Sequence, residues 1–135
     1  MKAAELQIGD IVIDSGNRVI RINSINEYNI TYSYFASGYY GEECTKKEFL
    51  TDIYPIPLTS EILEKSGWKL RNGYPTEYEI IQEEYVHCYY DVKHKHCIIE
   101  IWGETTIDIL LDCVHELQRA LRCCGLWDLA NNFKI

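Results

Sequence analysis

Tyr85-Val86-His87-Cys88-Tyr89-Tyr90-Asp91-Val92-Lys93-His94-Lys95-His96-Cys97-Ile98-Ile99-Glu100-Ile101-Trp102 is the stretch whose reading decides the fold. It reads as two strands, Tyr85–Asp91 and Lys95–Trp102, joined by a turn near Lys93-His94. That turn sets His87 opposite Glu100 and His96 opposite Asp91. Val86, Cys88, Tyr90, Cys97, Ile99 and Ile101 then share a mostly apolar face, and His87, Tyr89, Asp91, His96 and Glu100 a polar one. An apolar sheet face needs a cover. Downstream, Val114, Leu117, Leu121 and Cys124 have helical spacing, with Leu110 one turn further back. The spacing predicts a helix from Asp112 to Cys124, stopped by Gly125, that packs on the hairpin. Its other face holds Asp112, His115, Glu116, Gln118, Arg119 and Arg122.

Upstream of the hairpin, Thr76–Gln82 reads as a further strand. Before it, Thr59 suits an N-cap, Glu61 a first helical turn and Gly67 a C′ position, which predicts a short helix burying Ile62 and Leu63. Pro55 and Pro57 break regular structure in front of that helix. The first 54 residues alternate differently. Ile8–Ile13 enters a turn at Asp14-Ser15-Gly16-Asn17, Arg18–Ile25 alternates, and Asn29–Phe35 sets Ile30, Tyr32 and Tyr34 on one face. Ala36-Ser37-Gly38 then turns the chain into Tyr39-Tyr40 and a fourth strand. Short strands at this spacing predict a small, strongly bent antiparallel sheet of SH3-like type. The tail from Leu126 to Ile135 reads as a last turn and an edge strand. The expected fold class is α+β, in one domain over 1–135 with subregions 1–54 and 55–135.

Composition narrows the function classes. A 135-residue chain with 47% hydrophobic residues can bury a core of its own. The formal charge is −8, and it is even: 6 basic and 10 acidic residues in 1–67, 7 and 11 in 68–135. Such a balance works against non-specific nucleic-acid binding, which depends on neutralising phosphates. No stretch approaches the ~20 apolar residues of a membrane span, and Met1-Lys2-Ala3-Ala4-Glu5 lacks the apolar run of a secretory signal. The expectation is therefore a cytoplasmic protein with reduced thiols, even with six cysteines, since these show no CxxC.

The candidate chemistries divide as follows. His87, Cys88, His94, His96 and Cys97 invite a metal, but His87 and His96 lie about 13 Å apart along the face at strand rise. The cysteines point to the opposite face, so no metal site and no cofactor are expected. A metal-dependent or other enzyme built on His87, Asp91, His96 and Glu100 remains the rival class. Cys113 and His115 are the nearest Cys–His pair, yet residues two apart on a helix do not face each other. The phosphate-binding and nucleophile-elbow motifs are absent. Six of the 11 tyrosines fall between 28 and 54. Tyr32, Tyr34, Tyr39 and Tyr40 would form an exposed platform for a peptide, base or nucleotide, or else fill a core with their hydroxyls at its rim. His115, Arg119 and Arg122 form a basic stripe on the last helix, suited to an anion or acidic partner, or a solvated face.

Leu6-Gln7-Ile8-Gly9-Asp10, Pro55-Ile56-Pro57-Leu58-Thr59 with Ile62-Leu63 and Gly67-Trp68, and Val114-His115-Glu116-Leu117-Gln118 with Cys124-Gly125 follow one another in a distinctive order. In that order the chain resembles a family of small proteins from Bacteroides-type gut bacteria, often encoded in prophages and mobile elements. The resemblance implies an origin and carries over no site residue. Together these readings favour a non-enzymatic binding protein for a protein or small ligand, with self-association open. A mobile-element accessory or anti-defence role follows from the resemblance alone, and selective nucleic-acid or nucleotide binding through the tyrosine-rich sheet is the third class.

Overall fold

The structure, a computed structural model, describes residues 6–26, 29–36, 39–47 and 53–135; the side chains of 29, 36, 39 and 42–47 fall outside that description. The fold is α+β, with two five-stranded antiparallel sheets and a few short helices. The chain divides into two compact units, 1–56 and 57–135.

The first unit holds β1 (Ile11–Asp14), β2 (Val19–Ile25), β3 (Asn29–Ala36), β4 (Tyr39–Lys47) and β5 (Ile53–Tyr54), in the order β4-β3-β2-β1-β5. Asp14 closes the first hairpin by accepting from the backbone N–H of Gly16 and of Arg18, each at 2.9 Å. Register shifts between Ile22 and Ser24 and between Ser33 and Phe35 add the local twist that bends a sheet. The alternation read in β2 holds: Ile20 and Ile22 are buried, while Val19, Arg21 and Asn23 are half-buried. They join Leu6, Val12, Ile30, Tyr32 and Ile53 in one apolar core.

The second unit begins with α1 (Ser60–Lys65), capped by Thr59, whose Oγ1 accepts the Ile62 N–H at 3.3 Å. Gly67 follows at φ +92, the left-handed conformation a helix terminus asks of glycine. Then come β6 (Lys69–Leu70), β7 (Glu77–Gln82), β8 (Val86–Asp91), β9 (His96–Ile101) and β10 (Glu104–Leu110), in the order β10-β9-β8-β7-β6. The β8–β9 register is the expected one, with His87 opposite Glu100, Cys88 opposite Ile99 and Asp91 opposite His96. Cys88, Tyr90, Cys97 and Ile99 are buried, as are Val114, Leu117 and Leu121 on α2 (Val114–Cys123).

Three expectations need correction. Residues 104–110 form a strand rather than leading into the helix, and Leu110 lies 74% exposed on β10. The β-branched run Thr105-Thr106-Ile107 with Ile109 suits a strand better than a helix. The helix starts at Val114, with Cys113 as its N-cap in extended backbone. The tail forms a short helix, α3 (Trp127–Asn131), instead of an edge strand. That helix packs on α2, and Gln118 Nε2 donates to the Ala130 carbonyl at 2.9 Å. It therefore covers part of the helix face that reads as solvated in the sequence.

Candidate functional site

Two turns of the second sheet come together at one end. β7 and β8 join through Glu83-Glu84-Tyr85, and β9 and β10 through Trp102-Gly103. The Trp102-Gly103 turn has both residues at positive φ, +54 and +77, as a type I′ hairpin demands. Asparagine and glycine suit that turn; tryptophan does not, and a left-handed non-glycine residue costs roughly 1–2 kcal/mol. Glu83 and Glu84 also lie at positive φ, 53 and 65. The three strained residues line one cleft of about 520 Å³, with Tyr85, His87, Tyr89, Glu100 and Gly103. Strain gathered at one place motivates a functional reading.

The cleft has an aromatic wall and an acidic rim. The Trp102 and Tyr85 rings stack with centroids 4.3 Å apart and planes 7° from parallel. The Trp102 backbone N–H donates to the Tyr85 backbone carbonyl at 2.9 Å, locking the two turns together. The Tyr85 hydroxyl donates to Glu83 Oε2 at 2.8 Å, and that bond with the Glu83 charge raises the hydroxyl's pKa. The Glu84 carbonyl can only accept, so His87 Nε2 carries the proton of their 3.0 Å bond. His87 Nδ1 is then free to accept from the Tyr89 hydroxyl at 3.3 Å. Trp102 remains 74% exposed. No lysine or arginine among the described residues forms an ion pair with Glu83, Glu84 or Glu100.

Next to the cleft the fold holds a guanidinium of its own. Arg71 lies over the Tyr74 ring at 4.1 Å and the Tyr89 ring at 4.3 Å, and meets Glu77 at 3.2 Å. Further along the same face Asp91 pairs with His94 at 2.8 Å, and His96 with Asp108. Burial pushes the Asp91 carboxyl up, but bonds from His94, Thr76 and the backbone N–H groups of His94 and Lys93 outweigh it and hold it at about 2. His87 with Glu100, and Asp91 with His96, form separate cross-strand pairs; Asp91 and His96 are tied to other partners.

The binding residues expected from sequence fall elsewhere. Tyr32 is 3% exposed, in the core of the first unit, so it cannot belong to an exposed platform. Its hydroxyl meets that of Tyr34 at 3.1 Å, the rim arrangement of core tyrosines. Arg18 already lies over Tyr34 at 4.3 Å, and Arg21 over Tyr40 at 4.6 Å. Burial pushes the Tyr40 hydroxyl up to about 12. The Tyr39 side chain lies outside the described residues. On α2, His115 and Arg122 are buried and Arg119 is half-buried, so the exposed basic stripe does not form.

Cys113 and His115 do meet, with Sγ 3.4 Å from Nδ1, contrary to the helix-spacing argument. As N-cap, Cys113 stands outside the helix, and the spacing rule does not apply to it. Burial and the Glu116 carboxylate push the thiol up to about 12, and it donates to Glu116 Oε1. A protonated thiol is a poor nucleophile. Asp112, Cys113 and Glu116 also bring three ligand atoms within 4.8 Å of one another. The positive end of α2 and the engaged thiol both oppose a cation there.

The sequence offers one signal for the cleft. The β8–β9 pairing, carried one step past Val86 and Ile101, sets Tyr85 opposite Trp102 on the polar face.

Fold and site together define a small α+β protein with an aromatic, acid-rimmed cleft at the end of a half-exposed sheet face. Comparison with protein-family models, curated proteins and solved structures finds no match to this chain. Among the described residues, no helix is long and apolar enough to cross a membrane.

Proposed function

We propose that the chain is a non-enzymatic binding module whose half-exposed C-terminal sheet face docks a positively charged partner protein. The observation that carries this reading is the composition of that face. Cross-strand rows set Glu79, Tyr89, Ile98 and Asp108 side by side, flanked by Ile81, His87 and Glu100 on one side and Glu77, Asp91 and His96 on the other. Five carboxylates thus share the face with the exposed apolar side chains of Ile81 and, at its edge, Leu110. Glu77, Asp91 and Asp108 already meet Arg71, His94 and His96, which leaves Glu79 and Glu100 without an ion-pair partner among the described residues. Apolar contacts beside an excess of one sign of charge suit recognition of the opposite sign. The first unit would serve as a small SH3-like scaffold, a reading supported by its strand order and two register shifts. The resemblance to mobile-element proteins adds an accessory or anti-defence role to this proposal, and the cytoplasmic setting expected from the composition is proposed with it.

The test uses an eight-residue peptide of alternating arginine and valine, titrated by fluorescence anisotropy at two salt concentrations. Reversing charge on the face with Glu79→Lys and Asp108→Lys should weaken binding by roughly tenfold or more. Glu61→Lys with Asp128→Lys changes net charge equally but lies on α1 and α3, and should have little effect. Equal losses in both double variants, or no binding by the natural chain, would overturn the proposal.

A further inference from the structure

The geometry points to the hairpin-tip cleft as the anchor for one arginine side chain of the partner, stacked on the exposed indole of Trp102 between Glu84 and Glu100. This deepens the proposed function and rests on it. Arginine fits for three reasons found in the structure. First, a guanidinium is planar and weakly hydrated and stacks on aromatic faces, unlike an ammonium. Tyr85 holds the Trp102 ring flat from one side, and the ring remains 74% exposed. Second, the rim carries the carboxylates of Glu83, Glu84 and Glu100, and no described lysine or arginine pairs with them. A bound cation would supply the missing counter-charge. Third, Arg71 already shows the chemistry in place, against two tyrosine rings and one carboxylate beside the same cleft. The cleft repeats that arrangement without an arginine of its own.

Strain adds an independent argument. Trp102 occupies a backbone position that Asn or Gly would fill without cost, and it keeps most of its side chain in water. The stack with Tyr85 offsets the strain of the turn, so the tryptophan brings folding no net gain over asparagine. An exposed aromatic held rigidly at a strained turn is what an interface anchor requires, since such residues dominate binding energy.

The experiment follows the Trp102 indole N–H by NMR while the alternating arginine–valine peptide is added. It is repeated with peptides in which citrulline or lysine replaces arginine. Citrulline keeps the shape and loses the charge. Arginine should shift the Trp102 signal at saturation, with citrulline binding at least about tenfold weaker and lysine intermediate. Trp102→Asn keeps a favoured type I′ turn and should stay folded while losing roughly tenfold or more in affinity. Glu100→Gln, which leaves the turn untouched, should weaken arginine binding more than citrulline binding. Citrulline and arginine binding alike, or full affinity in both Trp102→Asn and Glu100→Gln, would overturn the anchor. If face reversal still abolishes binding in that case, the docking face stands and the anchor alone falls. If face reversal also has no effect, both readings fall.

Discussion

Both sheets have five antiparallel strands and both bury tyrosines, Tyr32 in the first and Tyr90 in the second, yet the pairs Tyr32–Tyr34 and Tyr85–Trp102 are placed in opposite ways. In the first unit Tyr32 points into the core and Tyr34 covers it from the rim, with Arg18 over its ring. In the second, Tyr85 and Trp102 stack at the turns, outside any core, with three carboxylates around them. Alternation alone cannot separate these cases, because both faces of a strand accept aromatic rings. What separates them is the rest of each face. Tyr32 alternates in phase with Ile30 and pairs across with Ile22, whereas Trp102 shares its face with Glu100 and His87.

The sharpest way to break the comparison is to truncate one aromatic from each sheet. Tyr32→Ala should destabilise by about 3–5 kcal/mol, because it empties a packed core site. Tyr85→Ala removes a surface stack and should cost no more than about 1.5 kcal/mol. Urea denaturation of the two variants settles the order. A Tyr85 variant as damaged as the Tyr32 variant would mean that the cleft wall is structural, and the aromatic contrast would fail.

A second comparison concerns how each sheet closes a hairpin on an aspartate. Asp14 holds the N–H groups of Gly16 and Arg18 in the first, and Asp91 those of Lys93 and His94 in the second. In both, burial pushes the carboxyl up and the bonds it accepts outweigh this, so the folded pKa is depressed. The sign follows directly. A carboxyl lower in the folded than in the unfolded state adds stability above its unfolded pKa of about 3.9. That contribution disappears as the pH falls through the folded value, about 2 for Asp91. Asp91→Asn should therefore cost about 1–2 kcal/mol at pH 7, with the gap from the natural chain closing between about pH 4 and pH 2. Thermal unfolding across that range checks it. A gap that persists at pH 2 would place the loss in packing, not in charge.

These comparisons also show how far the sequence could be read. The β8–β9 register and the cap of α1 were legible because period two and the Thr59/Gly67 pair are local signals. The far face of α2 was not. Gln118 and Arg122 look solvated by spacing, but they are buried, and Gln118 donates to α3. That helix is five residues long and has no side-chain cap to announce it. β10 was hidden for a related reason, since Leu110 falls in helical phase with Val114 and Leu117 by coincidence of spacing. The cleft needed two turns, one of them led by a tryptophan that no turn preference would select.

The smallest expected effect tests that last residue most directly. Trp102→Asn acts on stability in two opposing ways. It removes the stack with Tyr85, a loss of about 0.5–1.5 kcal/mol at a site that is mostly exposed. It also replaces a strained left-handed residue by one that tolerates that region, a gain of roughly 1 kcal/mol. The two nearly cancel, so the variant should unfold within about 0.5 kcal/mol of the natural chain and at a similar temperature. A tryptophan retained for folding would behave otherwise, because its removal would lower the midpoint by several degrees. The near-zero result is therefore the informative one. It would show that the Tyr85 stack and the strain of the turn offset each other, so that Trp102, unlike Tyr32 in the first sheet, brings the fold no net stability over asparagine.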